Sequence, residues 1–291
     1  MSLSPSLSMS DVVSTLRAAG CVFAEDEARL LVSAAGTPAG LAAMVERRVS
    51  GEPLEHVLGW AGFHGLRVAV DPGVFVPRRR TEFLVDQALA VTPPRARADQ
   101  ALAVAPLHAR PVVVDLCCGT GAVGAALAAA LGPVELHASD LDPAAVRCAR
   151  RNLAALGARV YEGDLYEPLP ATLRGRVDLL AANAPYVPTA AVALLPSEAR
   201  DHEPLTALDG GADGLDILRR VIAEAPPWLT PSGHLLVETS ERQAPHLVET
   251  ADRHGLHARV AVSDEADATV VIVTTPATPS STGPAGSVPQ G

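Results

Sequence analysis

"DLCCGTGAVGAALA" (residues 115–128) follows the apolar run "PVVVDLC" and leads into an alanine-rich stretch of helical character. A strand, a glycine loop and a helix in that order open a nucleotide-binding βαβ unit. Gly119, Gly121 and Gly124 have the GxGxxG spacing, and Asp140 ends the next strand-like run, "VELHASD". This formally matches the dinucleotide fingerprint of an NAD-dependent enzyme. Glycines that merely pack a helix against a strand would produce the same spacing. The surrounding acids weigh between these accounts. Asp115 sets a carboxylate at the strand tip, where it would repel a pyrophosphate and attract the ammonium group of S-adenosylmethionine (SAM). Asp140 suits ribose hydroxyls under either cofactor. "EGD" at the end of the third strand places Asp164 to accept from an adenine amino group. Three acids at three consecutive strand ends favour a cationic, phosphate-free cofactor. Leu141 and Leu165, beside two of them, join Cys117 in the expected cofactor set.

Outward from the loop, "RVYEGD", "VDLLAA", "GHLLVET", "HARVAV" and "ATVVIVTT" read as further strands. "DPAAVRCARRNLAALG", "GLDILRRVIAEAP" and "ERQAPHLVETADRHG" read as helices between them, the first capped by Asp142 with Pro143 at its first position. The alternation predicts an α/β fold, a doubly wound, mostly parallel, seven-stranded Rossmann-like sheet. Only "SDEAD" separates the last two strands, so they are expected as an antiparallel edge hairpin. Upstream, three helical patterns with caps at Ser10 and Thr37 and stops at Gly20, Gly36 and Gly51 predict a small helical unit within residues 1–58. A β-hairpin linker is expected over 59–80 and the sheet domain over 81–275. Within that domain 92–110 reads as a flexible insertion, and 276–291 has the Pro, Ser and Gly content of a disordered tail.

The chain has 291 residues, 48% of them hydrophobic and 19% charged, which suits a soluble protein with a buried core. No apolar run reaches the roughly 18–20 residues of a membrane span. "MSLSPSLSMS" has neither the basic nor the apolar region of a signal peptide. Four cysteines without CxxC spacing predict reduced thiols in a cytoplasmic protein. Nine scattered histidines predict no metal site. A net charge of −10 argues against a broad nucleic-acid surface, and "PRRR" (77–80) reads as a solvated basic loop.

After "VDLLAA" comes "NAPYVP" (183–188). A strand-ending turn accounts for its asparagine and proline, but not for its tyrosine. Residues 115–128, Asp140, Asp164 and Asn183–Tyr186 together resemble class I SAM-dependent methyltransferases with an (N/D)PPY motif. Residues 51–89, "GEPLEHVLGWAGFHGLRVAVDPGVFVPRRRTEFLVDQAL", look like the linker of the PrmC/HemK family. "EPLTALDGGADGLDILRRVI" (203–222) and "GHLLVETSERQ" (233–243) are similar to later segments of the same family. The resemblance covers about residues 40–275.

That resemblance implies a protein-(glutamine-N5) methyltransferase acting on class I peptide chain release factors. The helices before the hairpin fit that family's N-terminal recognition domain in position; a monomer is expected, and the charge and hydropathy above predict no direct contact with nucleic acid or membrane. An amide nitrogen is a poor nucleophile, so the family's chemistry is one of positioning. By resemblance, the Asn183 side-chain oxygen and the Ala184 carbonyl accept the amide N–H groups. Tyr186 walls the pocket, Pro185 stiffens the loop, and Asn183 also borders the cofactor. Glu238, Gln243 and Glu203 are weaker candidates, since each suits an ordinary strand end, helix start or loop cap. Two departures stand out. NAPY replaces NPPY, which removes the restriction on Asn183 while keeping a carbonyl at Ala184. Cys117 replaces an expected glycine, so the loop is either wider or avoids positive φ there. The rival readings are an adenine amino-methyltransferase, a silent SAM-binding regulator and an NAD oxidoreductase.

Overall fold

A computed structural model describes residues 7–92 and 110–276. The expected insertion and tail fall almost wholly outside those residues. Four helices come first: α1 (Met9–Ala18), α2 (Ala24–Ala34), α3 (Pro38–Val49) and α4 (Leu54–Leu58). They enclose their own apolar cluster, with Val12, Leu16, Leu31, Leu41 and Val45 among its buried members. Thr37 caps α3 as expected, its hydroxyl accepting from Gly40 N at 3.0 Å. The cap of α1 is Ser8 and not Ser10. Ser8 Oγ accepts from Asp11 N at 3.2 Å while Asp11 accepts from Ser8 N at 3.0 Å. This reciprocal capping box outcompetes the single cap read at Ser10, which lies inside the helix. The fourth helix was not expected.

An antiparallel hairpin follows, β1 (Trp60–Phe63) and β2 (Leu66–Ala69), turning at His64 and Gly65 with φ of +47° and +75°. Next come α5 (Glu82–Val91), β3 (Val112–Leu116), α6 (Ala122–Leu131), β4 (Glu135–Asp140), α7 (Pro143–Leu153), β5 (Arg159–Glu162) and β6 (Val177–Ala182). The chain continues through α8 (Thr189–Val192), α9 (Ser197–His202), α10 (Asp216–Glu224), β7 (Leu229–Thr239), α11 (Ala244–Arg253), β8 (His257–Ser263) and β9 (Ala268–Thr274). Asp142 caps α7, accepting from Ala144 N at 2.8 Å.

One seven-stranded sheet runs in the order β5-β4-β3-β6-β7-β9-β8. Pairings from β5 through β7 are parallel, while β9 is antiparallel to both β7 and β8. The terminal hairpin therefore lies at the edge with its second strand innermost. Central strands bury both faces, which is why β3 is apolar but for Asp115. The two-residue period divides them between two cores. Val112, Val114 and Leu116 pack with α10 and α11, whereas Val113, Leu179 and Leu236 pack with α5 and α6. Strand order reverses beside β3, and ligands of such sheets bind outside the carboxyl ends at that reversal. Asp115, Asp140, Asp164 and Asn183 all stand at those ends. Among the described residues no helix is long and apolar enough to cross a membrane.

Candidate active site

A cleft of about 250 Å³ opens at the carboxyl ends of β3, β4 and β6. It brings together Asp115, Cys117, Gly119, Asp140, Leu141, Asp164, Leu165 and Asn183. Gly121 does not line it. This glycine heads α6 at φ +79°, where a Cβ would stand 2.9 Å from Leu153 Cδ1. Asp115 is 2% exposed and accepts from Gly124 N at 2.8 Å. Burial pushes its pKa up to about 8, against the pull of that one N–H. Asp140 accepts from Gly119 N at 2.8 Å and Asp142 N at 2.9 Å, and burial raises it too. Arg220 holds both oxygens of Asp164 at 3.3 and 2.9 Å, which orients the carboxylate and leaves its remaining lone pairs to accept at the cleft. Leu141 is 58% exposed at the cleft, an apolar side chain that a flat ring would cover.

Two cleft residues carry backbone strain: Cys117 at φ +53° and Leu165 at φ +46°. The loop at 117 therefore keeps the positive φ that glycine favours, which excludes the second of the two expected alternatives, a backbone that avoids it. The neighbouring turn holds Cys117 there, with Cys118 N bonded to Ser139 O at 3.1 Å and Gly119 N to Asp140. An L-residue in this region costs about 1–2 kcal/mol. Glycine would cost roughly 0.4–1 kcal/mol through the freer unfolded chain. Relief of strain exceeds that by up to about 1.6 kcal/mol, part of which the lost packing of the Cys117 side chain against the core offsets, so Cys117→Gly is expected to raise stability by less than about 1 kcal/mol. A urea midpoint that falls would contradict this.

A second cavity, of about 290 Å³, lies beyond "NAPY" and is lined by Asn183, Ala184, Pro185 and Tyr186 together with Leu195 and Leu208. The two cavities share Phe75, Asn183, Pro185 and Ala207 as lining residues. Asn183 Nδ2 donates to Thr81 Oγ1 at 3.2 Å, which leaves Oδ1 as the free end of the amide. The Ala184 carbonyl accepts no hydrogen bond from the described residues. Tyr186 donates its hydroxyl to Glu238 at 3.1 Å, and burial raises the tyrosine pKa further above its ordinary range.

The loop is braced from behind by residues that a motif does not reveal. Gln243 Nε2 donates to Tyr186 O and to Asp213 O, both at 3.0 Å. Gly214, at φ +78°, lies so close that any Cβ there would collide with Tyr186 O. Glu203, its side chain fully buried, accepts from Val76 N at 3.0 Å and Arg78 Nη2 at 2.6 Å. "PRRR" is thus not simply a solvated loop: Arg78 stacks over Phe75 at 4.8 Å, and both Arg78 and Arg80 line the second cavity. Thr81, Gly214, Arg220 and Arg80 were missed in the sequence. The glycines of "DGGADG" and the threonine of "RRRTE" were the available signals.

The donor set fits SAM. Buried acids, with no Lys or Arg among the described residues that line the cleft, suit a cationic ligand, and Leu141 offers a face for adenine. Fold and cleft together define a class I SAM-dependent methyltransferase. The Methyltransferase small domain family matches residues 99–195. A 16S rRNA methyltransferase of T. thermophilus, solved with AdoMet and guanosine, superposes with a TM-score of 0.50 at 20% identity, over 74% of this chain and 49% of that one. A release factor glutamine methyltransferase of Geobacter sulfurreducens is 39% identical over 73% of this chain and 69% of its own length. One of Mycolicibacterium smegmatis is 37% identical, over 79% and 78%. The chain belongs to the release factor glutamine methyltransferase family. Another relative, 37% identical over 68% of this chain and 65% of its own length, is the 4-amino-L-phenylalanine/4-methylamino-L-phenylalanine methyltransferase of Streptomyces pristinaespiralis.

Proposed function

We propose that this enzyme transfers a methyl group to the side-chain amide nitrogen of a glutamine in a peptide chain release factor. The observation that carries this reading is the meeting of the two cavities at Asn183 and Pro185. A nitrogen held in the second cavity lies against the first. Bound SAM supplies a methyl group on a sulfonium, already activated for transfer. The residues have the remaining task, to aim a weakly nucleophilic nitrogen and accept its N–H groups. Asn183 Oδ1 and the Ala184 carbonyl are the acceptors, and the Tyr186 ring closes one side. The bond from Nδ2 to Thr81 uses the donor end of the Asn183 amide and leaves Oδ1 for the substrate.

The helical unit of residues 1–58 would read the protein substrate, and 59–80 would link it to the transferase domain (81–275). We assign the protein to the cytoplasm as a monomer without direct nucleic-acid contact. Its four cysteines are free thiols, in keeping with a reducing compartment.

Asp115 would face the ammonium of SAM, Asp140 the ribose and Leu141 and Leu165 the adenine. The Asp115 role makes binding depend on pH. Ligand-free protein holds a proton on Asp115 up to pH about 8, whereas a cation favours the ionised form. SAM binding at pH 7 is therefore expected to release up to one proton, and affinity to rise with pH towards 8 by up to about tenfold per unit. Calorimetry in buffers of different ionisation enthalpy measures this, and Asp115→Asn should abolish the release. Without SAM the sign reverses. The folded state binds the extra proton between about pH 4 and 8, so this group's contribution to stability falls as pH rises through that window.

The test of function is incubation with methyl-labelled SAM and purified release factors, followed by mass spectrometry of the glutamine in their GGQ segment. Parallel arms offer 4-aminophenylalanine, a free planar nitrogen like that of the S. pristinaespiralis relative's substrate, and an adenine-containing oligonucleotide. Label on either of these and none on glutamine would overturn the reading.

A further inference from the structure

Glu238 is the penultimate residue of β7 and has only 2% of its surface exposed, yet it lines two cavities. One is the acceptor cavity. The other, of about 180 Å³, opens towards the β8–β9 turn beside Ser240, Glu241, Asp264 and Asp267. Arg80 and Tyr186 line both cavities as well, so these three side chains form the wall between them. Glu238 Oε1 accepts from the Tyr186 hydroxyl at 3.1 Å and stands 3.9 Å from Arg80 Nε. Oε2 is inaccessible and lacks a well-formed hydrogen bond among the described residues, with the Thr81 hydroxyl near enough to the carboxylate to lower its pKa. A buried carboxylate oxygen left unpaired is costly, and its persistence calls for a function.

Amide methylation leaves a proton to be removed. The nitrogen lone pair forms the new N–C bond, the S–C electron pair returns to sulfur, and the nitrogen is left cationic with both of its hydrogens. One N–H bond must then return its electrons to nitrogen. Asn183 Oδ1 and a peptide carbonyl can accept hydrogen bonds but hold no proton near neutral pH. We propose that Glu238 takes this proton by way of the Tyr186 hydroxyl, which lines the acceptor cavity, accepts the proton from nitrogen and gives its own to Glu238 Oε1, and that Glu238 passes it to solvent through the neighbouring cavity. Glu238 is the only carboxylate among the lining residues of the acceptor cavity besides Glu198, which is held by Arg48 at 2.7 Å. Burial raises the Glu238 pKa, and the hydroxyls of Thr81 and Tyr186 and the Arg80 guanidinium pull the other way. On the far side, Glu241, Asp264 and Asp267 line the third cavity together with Glu238. A carboxylate raised towards the working pH is the better proton acceptor.

The inference rests on the acceptor cavity proposed above, and the two can fail separately. Absence of methyl transfer by the wild-type enzyme to any planar nitrogen fails that reading. Wild-type transfer with an unaltered Glu238→Gln enzyme fails this one alone. The experiment is single-turnover methyl transfer from the preformed SAM complex, at saturating SAM so that Asp115 and Asp140 do not enter, followed from about pH 4.5, the ordinary carboxylate range, upward to about pH 8.5. The wild-type rate is expected to fall as pH drops below the Glu238 pKa. Glu238→Gln, which keeps a polar partner for Tyr186, should be slower by about 10²-fold and lose that acid limb. Glu238→Asp, which retains the acid on a shorter stem, should recover part of the rate together with the limb. This second variant also serves should Glu238→Gln fold poorly. A Glu238→Gln enzyme with the wild-type limb, or a Glu238→Asp enzyme without it, would overturn the assignment.

Discussion

Asn183→Ala is expected to bind SAM within a few-fold of wild type while losing methyl transfer by about 10²–10³-fold, the usual cost of one positioned hydrogen-bonding group. Asn183 borders the cofactor cleft, but the acids and loop amides that line it are untouched by the change. Its bond to Thr81 is between neutral groups and contributes only about 1 kcal/mol, too little to unfold the chain. The loss therefore falls on the reacting nitrogen, which keeps its cavity and loses its aim. Asn183→Asp separates aim from charge. It keeps an acceptor oxygen, loses the donor to Thr81, and should be intermediate in rate. Single-turnover transfer and calorimetric SAM binding on the same preparations decide the matter. Turnover within tenfold of wild type would remove Asn183 from its assigned role.

The local parts of this site were legible in the sequence because local chemistry encodes them. "VDLLAA" is β6 residue for residue, and Asp140 and Asn183 lie at or just beyond strand ends because apolar runs stop there. Helix caps were legible where one residue dominates, as at Thr37 and Asp142, and failed at Ser8, where two reciprocal bonds set the start. The remainder depends on contacts between distant positions. Thr81 meets Asn183 across 102 positions, and Arg220 meets Asp164 across 56. Nothing in either segment alone announces its partner. Cys117 illustrates a different limit. Its residue type left open whether the loop widened or avoided positive φ, and the turn that Ser139 and Asp140 impose decides against avoidance.

The contact between the helical unit and the acceptor cavity is also of this long-range kind, and it carries the second large effect. Arg48 on α3 has only 8% of its side chain exposed, and Glu27 on α2 holds it at 2.6 and 3.2 Å. Its Nη1 donates to Glu52 O at 3.1 Å and to Glu198 at 2.7 Å, on the helix α9 that borders the acceptor cavity. Removing one partner of a buried pair leaves the other charge unpaired, at a cost of about 3–5 kcal/mol. The unit that bears this loss has a core of only eight buried apolar residues, three of them alanine or valine on α2 and α4. Small cores have little stability to spare. Arg48→Ala is therefore expected to open α1–α4 to hydrogen exchange while the sheet amides stay protected. Transfer to a protein substrate should show a raised KM, since Glu198 is no longer tethered, with SAM affinity unchanged. Replacing both members, Arg48→Met with Glu27→Leu, removes the charges together and should restore stability to near wild type. Exchange protection in Arg48→Ala within about 1 kcal/mol of wild type would show instead that the pair is screened by water and that the helical unit is anchored by its apolar contacts alone.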